Sequence, residues 1–372
     1  MRILVLGATG YVGSRVVPAL LDAGHEVVAA SSSVPDPDRF AWGRDVEWVK
    51  CDVTDEMAVR AAVQQVDGIC YLVHSLNVRG FADRDRAGAH VVRDAVLDSD
   101  VRRVVYLSGL VPDASPDELS RHICSRLEVE QVLAEAASER CSVLSLRAGV
   151  VIGAGSTSFE VIRQLSTLLL VQPVPSWLEN RVQPIAVSDV LRAMVEAFAD
   201  DHLAGAVDIG GPNVLPYSRL LAECARASGL LRVRVPTLPL PPPLVSLGAA
   251  AMCAAPFWTV HALIESLRHE MVCRPGETWV PKDGEPLLGV REAMTRSLGR
   301  AGSTPEAPLA SDPDWTRMRA PVLDELRAPA SVRAGTSLAL KRVRALVGAG
   351  ALTGLYRAAS NAAVERSRRA QA

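Results

Sequence analysis

Three glycines at fixed spacing carry the first chemistry legible in the chain, in the run Gly7-Ala8-Thr9-Gly10-Tyr11-Val12-Gly13. A turn of this kind receives a pyrophosphate. Gly7 permits the tight turn, Gly10 removes a side chain where phosphate must approach, and Gly13 lets a helix pack closely on a strand. Thr9, Tyr11 and Val12 lie inside the same turn, and the amino terminus of the following helix faces the phosphates. A glycine triplet alone is weak evidence, so the flanking elements decide.

Those elements have the required order. Arg2 is followed by the apolar run Ile3-Leu4-Val5-Leu6, which suits a buried parallel strand. Val16, Val17, Leu20 and Leu21 give a helical pattern that closes at Gly24, and His25–Ala30 reads as a second strand. Further strands are expected at Val46–Lys50, Gly68–His74, Val104–Ser108 and Cys141–Leu146, with helical segments between them. The pattern predicts an α/β fold with a doubly wound parallel (Rossmann-like) sheet and its ligand at the carboxyl ends of the strands. A smaller, mainly helical substrate domain is expected beside it. Residues 1–155 form the nucleotide domain, with later segments returning to it, and residues 156–300 form mostly the substrate or lid region.

The end of the second strand bears on the cofactor. A site selective for NAD places a carboxylate there to hold the ribose 2′-hydroxyl, whereas this chain reads Ala30-Ser31-Ser32-Ser33 with no acid before Asp36. Ser31 and Ser32 can donate to a 2′-phosphate, and Arg15 or Arg39 can neutralise it. The other reading makes Ser31–Ser33 a plain loop with both arginines in solvent. NADP(H) is preferred and NAD(H) stays open. Asp52, followed by Val53, is placed to meet the adenine amine.

With these pieces in view, the chain resembles the short-chain dehydrogenase/reductase superfamily in its extended or atypical branch, nearest to NmrA-like and sugar-epimerase-like proteins. The resemblance covers roughly residues 1–300 and rests on the glycine turn, Cys51-Asp52-Val53, Tyr71-Leu72-Val73-His74-Ser75, Val105-Tyr106-Leu107-Ser108-Gly109, Arg147-Ala148-Gly149-Val150-Val151-Ile152-Gly153 and Gln183–Val190. It implies that Val73, His74, Ser75, Ala148 and Val150 border the cofactor. In that superfamily a serine and a tyrosine hold the substrate carbonyl, and a lysine four residues after the tyrosine binds the nicotinamide ribose. Ser108 matches the serine. The Tyr-x-x-x-Lys pair is absent, and His122-Ile123-Cys124-Ser125-Arg126 stands in its place.

His122 and Arg126 share a helix face at a spacing of four. Arg126 can donate to ribose hydroxyls but does not act as a general acid near neutral pH. His122, with an ordinary titration near neutrality, is expected to donate to or protonate the substrate oxygen. Atypical ketoreductases acting on aromatic polyketides in antibiotic pathways also lack the tyrosine and lysine. The resemblance therefore implies NADPH-dependent reduction of a ketone on a bulky, apolar or aromatic small molecule. Two other readings stay open: a redox-inactive NADP(H)-binding regulator or scaffold, and an alkene or imine reductase. On the regulator reading His122 is a surface histidine, Arg126 pairs with Glu130, and Ser108 only caps its strand.

Composition narrows the classes further. A net charge of −2 offers no general attraction to nucleic acid, and no recognition module is present. The seven cysteines form no CxxC pair and the histidines no ligand cluster, which argues against a disulfide framework or a metal site. Reduced thiols and the lack of a signal peptide point to the cytoplasm. Pro236–Val260 is free of charge but proline-rich, so a buried or substrate-covering helix is expected within residues 235–264 rather than a membrane span. A membrane-surface or protein contact is the weaker reading for that stretch and for the basic tail, residues 331–372, with eight Lys/Arg and one acid. Residues 301–330 read as linker or surface wrapping. Monomer and homodimer both stay open.

Overall fold

The computed structural model describes residues 1–316 apart from Pro35 and residues 76–79, 169–170 and 237–241. The expected basic tail and the second half of the 301–330 segment lie outside the described residues.

Alternation of side chains across each strand explains the apolar runs. In β1 (Arg2–Leu6), Ile3 and Val5 enter one core while Leu4 and Leu6 enter the other. β2 (Glu26–Ser31) does the same with Val27 and Ala29 against Val28 and Ala30. Both faces are buried, so positions 3–6 and 27–30 are all apolar. β3 (Glu47–Lys50), β4 (Gly68–Tyr71), β5 (Arg103–Gly109) and β6 (Ser142–Ala148) complete the expected set, each within a few residues of its predicted bounds. The Gly205–Ile209 strand joins β6 at the edge, giving a seven-stranded sheet in the order Gly205–Ile209, β6, β5, β4, β1, β2, β3. All its pairings are parallel.

Helices cover both faces. α1 (Gly13–Asp22) and α6 (Val187–Ala199) pack on one, through Val16, Val17 and Leu20 and through Val190, Met194 and Ala197. α2 (Glu56–Val63), α3 (Phe81–Leu97) and α4 (Arg121–Ala134) pack on the other. The order of the strands reverses between β1 and β4, and such a switch point opens a crevice at the carboxyl edge.

The remaining helices form a smaller layer beyond that edge. α5 (Thr157–Leu168), α7 (Tyr217–Ala227) and α10 (Val290–Ser297) share one apolar cluster. The charge-free stretch becomes two short helices, α8 (Pro242–Met252) and α9 (Phe257–Ser266), with Pro256 at the amino-terminal cap of the second. Among the described residues no helix is long and apolar enough to cross a membrane.

Residues 301–316 wrap onto the nucleotide domain. Ala307 and Glu306 are fully buried, and Asp312 meets Arg15 in an ion pair whose two side chains are each 2% exposed. Arg15 Nη1 and Nη2 donate to Asp312 Oδ1 and Oδ2 at 2.7 and 3.1 Å. Its other donors go to the carbonyls of Pro305, Ala154 and Ala307. Arg15 is thus withdrawn from the cofactor role expected of it, because a buried guanidinium needs a full set of acceptors and finds them here. Arg15→Ala takes the guanidinium away from the buried Asp312 carboxylate, which keeps the Leu309 N–H as a partner but loses its countercharge. The expected loss is about 3–5 kcal/mol of unfolding free energy, read by urea denaturation.

Candidate active site

The glycine turn is held by one close approach. Gly7 has a φ of 92°, and a Cβ on Gly13 would fall 2.2 Å from Gly7 O. The Gly7 backbone also touches Leu72 just past β4, so a Cβ there would lie 3.2 Å from the Leu72 carbonyl carbon. Gly10 is exposed at the crest of the turn, with its own N–H on Gly7 O at 3.0 Å. Thr9 and Val12 flank it half-buried. Tyr11 turns inward instead. Its ring lies beneath the Arg15 guanidinium, 4.3 Å from centroid to Cζ, and its hydroxyl is buried against the space left by Gly153. An open crest over a rigid turn is the cradle a dinucleotide pyrophosphate fits.

The adenosine side gathers where β2 and β3 end. Ser31 pairs in register with Lys50, and the Cys51 N–H donates to Ser31 O, which brings Asp52 and Val53 beside the serines. Ser32 is exposed, and Ser31 is buried with its hydroxyl near that of Ser33. Arg39 is exposed, and its Nη2 donates to Ser311 O at 2.9 Å. The Asp52 carboxylate already accepts from Thr54 and from Arg84 at 2.6 Å. Burial tends to raise its pKa, and these hydrogen bonds and the Arg84 charge more than reverse that. Val53 is buried against Gly88.

At the other end, β5, β6 and α4 assemble the chemistry. Ser108 is 2% exposed on β5, and its Oγ makes no well-formed hydrogen bond, though the Tyr106 hydroxyl on the same strand face lies near it. Ser120 caps α4 by accepting from the Ile123 N–H, and its hydroxyl also meets Ser266 at 2.8 Å, tying α4 to α9. His122 therefore sits in the first turn of α4, under the small layer. One turn later Arg126 Nη1 donates to Leu107 O at 2.7 Å, so the guanidinium lies over the end of β5 next to Ser108. Glu130, a candidate partner for Arg126, is instead engaged by Arg147. Ala148 ends β6 and Val150 follows it; Ala148 O accepts from the Leu110 N–H and Val150 O from the Ile185 N–H. Val73 is half-buried against the core beneath the β4 exit.

His74, read from sequence as a cofactor contact, stands at the centre of a hydrogen-bonded chain. His74 Nδ1 lies 2.8 Å from Asp85 Oδ2, and His74 Nε2 lies 3.2 Å from His122 Nδ1. Asp85, in the first half of α3, is 2% exposed and accepts from the Ser75 N–H at 3.0 Å through its other oxygen. Burial, and after it the Arg126 charge, pushes His74 down to about 4, with Asp85 only partly offsetting them. Burial drives His122 well below the ordinary histidine value, and the neighbouring His74 and Arg126 add to it. His122 thus departs from the expected titration near neutrality. Both rings are neutral at pH 7. Asp85 was not singled out from sequence, although its spacing to Ala89, Val92 and Val96 puts it on the buried stripe of α3.

Comparison with known proteins sets this site in context. The model of the NAD-dependent epimerase/dehydratase family matches residues 3–210. An uncharacterized protein of Mycobacterium tuberculosis is 28% identical over 229 residues, which cover 61% of this chain and 23% of that protein. The chain therefore spans about a quarter of the length of the first curated relatives it matches. A nucleoside-diphosphate-sugar epimerase from Staphylococcus aureus aligns with a TM-score of 0.62 at 13% identity, covering 79% of this chain and all of that one (100%). The Thermus thermophilus UDP-glucose 4-epimerase in complex with NAD aligns at 0.52 with 18% identity, over 72% and 99% of the two chains. These structural likenesses establish the fold.

The buried neutral histidine makes stability depend on pH. With its folded pKa near 4 and its unfolded value near 6.5, His74 takes up a proton more readily in the unfolded chain. Its contribution is therefore complete above pH 6.5 and is lost as pH falls toward 4, by an amount on the order of 3 kcal/mol. Urea denaturation from pH 7 to 4.5 should show this slope, and His74→Asn should reduce it, leaving the part that the buried His122 contributes.

Proposed function

Because the chain belongs to the NAD-dependent epimerase/dehydratase family, we propose that it is a nicotinamide-dependent oxidoreductase interconverting an alcohol and a ketone. The observation that carries this reading is the buried Ser108 hydroxyl, without a well-formed partner at the carboxyl end of β5, where Arg126 donates to Leu107 O one helical turn after His122. A buried serine hydroxyl without a well-formed partner costs free energy until an oxygen of a ligand meets it. His122 lies on the adjoining helix as the group that exchanges a proton with that oxygen, and Arg126 holds the nicotinamide ribose. The dinucleotide, when bound, supplies the hydride chemistry. Gly7, Thr9, Gly10, Val12 and Gly13 would cradle its pyrophosphate, with Val53, Val73, Ala148 and Val150 along its length.

NADPH-driven reduction of a ketone on a bulky, apolar or aromatic molecule is the form of this reaction we favour. The support for an apolar substrate is α8, which carries no charged residue, beside α9, which is apolar through Val260 and tied to the start of α4. The support for NADP(H) is now Ser31, Ser32 and Arg39, since Arg15 is engaged inside. The catalysed couple leaves the polyketide-like substrate class as one among bulky ketones.

Fluorescence titration with NADPH and NADH, followed by turnover on a panel of ketones and secondary alcohols, tests the reading. Ser108→Ala and His122→Ala should each lower kcat by about 10²–10⁴-fold with cofactor binding retained. Arg39→Ala should weaken NADPH binding roughly tenfold and leave NADH unchanged, as expected for one charge-assisted hydrogen bond to a phosphate. Failure to bind either nicotinamide would overturn the assignment, and tight binding without turnover of any alcohol or ketone would favour a cofactor-sensing protein.

A further inference from the structure

The hydrogen-bonded chain behind His122 has a direction built into it. Asp85 Oδ1 accepts from the Ser75 N–H, and Oδ2 faces His74 Nδ1. With the carboxylate ionised, His74 must carry its proton on Nδ1. Its Nε2 is then a lone pair, and the 3.2 Å contact is a hydrogen bond only if His122 Nδ1 donates. That leaves His122 Nε2 unprotonated, and among the described residues it has no hydrogen bond. The three groups arrive from separate elements: His74 from the exit of β4, Asp85 from α3 and His122 from α4. The charged groups facing the pair are Asp85 and, on α4, Arg126.

We propose that Asp85 and His74 are positioning residues that fix His122 with Nε2 as a proton acceptor and relay the proton away. This rests on the alcohol–ketone reading above and gives it a resting state. A substrate hydroxyl loses its proton to His122 Nε2 while hydride leaves the carbinol carbon for oxidised nicotinamide, the oxidant, and the C=O bond forms. The Nδ1 proton of His122 passes to His74 Nε2, and the Nδ1 proton of His74 passes to Asp85. The alcohol is oxidised by two electrons, the nicotinamide is reduced, and one proton remains in the chain. Reduction of a ketone runs the same steps backwards and starts from the relay holding that extra proton. Oxidation therefore speeds up as pH rises and reduction as pH falls, with one shared apparent pKa.

The test reads tautomers directly. In full-length protein labelled with ¹⁵N-histidine and free of cofactor, long-range ¹H–¹⁵N spectra at pH 7–8 should show His74 and His122 neutral and protonated on Nδ1. Asp85→Asn keeps an oxygen for the Ser75 N–H but turns an NH₂ toward His74 Nδ1. Both histidines should then move their protons to Nε2, making His122 a donor. Alcohol oxidation should fall by at least about 100-fold in kcat with little change in KM, and NADPH binding should persist. A wild-type His122 protonated on Nε2, or tautomers unmoved by Asp85→Asn, would overturn the relay; the wild-type spectrum decides this even if the variant misfolds. Inversion of both tautomers by Asp85→Asn, where the wild-type protein itself turns over no alcohol, would uphold the geometry and overturn the alcohol–ketone reading instead.

Discussion

The distance between α1 and β1 governs the carboxyl edge of the sheet. No side chain separates the two elements, since a Cβ on Gly13 would press on Gly7 O and on the Ala8 backbone. The helix start is therefore held close over the strand end, and its N–H groups face the crevice. The same closeness decides what happens one turn later. Tyr11 and Arg15 are turned into the molecule, and the surrounding chain is shaped around them. Gly153 leaves space for the Tyr11 hydroxyl, while Gly155, at a φ of 90°, leaves space for the Asp312 carboxylate. An ion pair between residues 297 positions apart is thus seated where Gly155 leaves room for its carboxylate.

A second constraint, electrostatic rather than steric, runs beneath the other end of the site. A carboxylate as buried as Asp85 is tolerable only when its oxygens are satisfied. The Ser75 N–H and His74 Nδ1 do this, and in doing so they determine the tautomer of every ring beyond. Burial holds both imidazoles neutral, and the Arg126 charge, kept close by its bond to Leu107 O, adds to that effect. The orientation of His122 is then a consequence of hydrogen-bond counting, and a loop movement at residues 74–75 would change its proton before it changed its place.

Much of the sheet was legible because its strands are buried on both faces and announce themselves as unbroken apolar runs. The glycine turn was legible because backbone approach demands glycine irrespective of the rest of the fold. Ser108, His122 and Arg126, the residues proposed for the chemistry, stand out in sequence because one end of a strand and one helix turn carry them. Asp85 was hidden for a physical reason: it lies in Asp83-Arg84-Asp85-Arg86, where four charged residues look equally fit for solvent. Only its register with Ala89, Val92 and Val96 sets it apart. The roles of Arg15 and of residues 301–316 were hidden more deeply. Nothing near Arg15 indicates a partner that arrives from the far end of the chain, and a stretch of Pro, Ser and Asp has no periodicity to show that Ala307 and Glu306 are buried.

On the proposed reading, His122 and Arg126 in place of a Tyr–Lys pair make one coupled change. A tyrosine in water ionises near pH 10, so it serves as a base at neutral pH only when a nearby cation lowers its pKa. A neutral imidazole already has a lone pair to offer and needs the opposite help, namely to be kept from protonating. A guanidinium that never loses its charge gives that help while still donating to a ribose. Imidazole, however, has two nitrogens, and the wrong tautomer would present a proton where a lone pair is required. Substituting histidine for tyrosine therefore creates a need that tyrosine does not have, for a group behind the ring to fix the tautomer. His74 and Asp85 occupy that position, and the arrangement is coherent only with all four residues together.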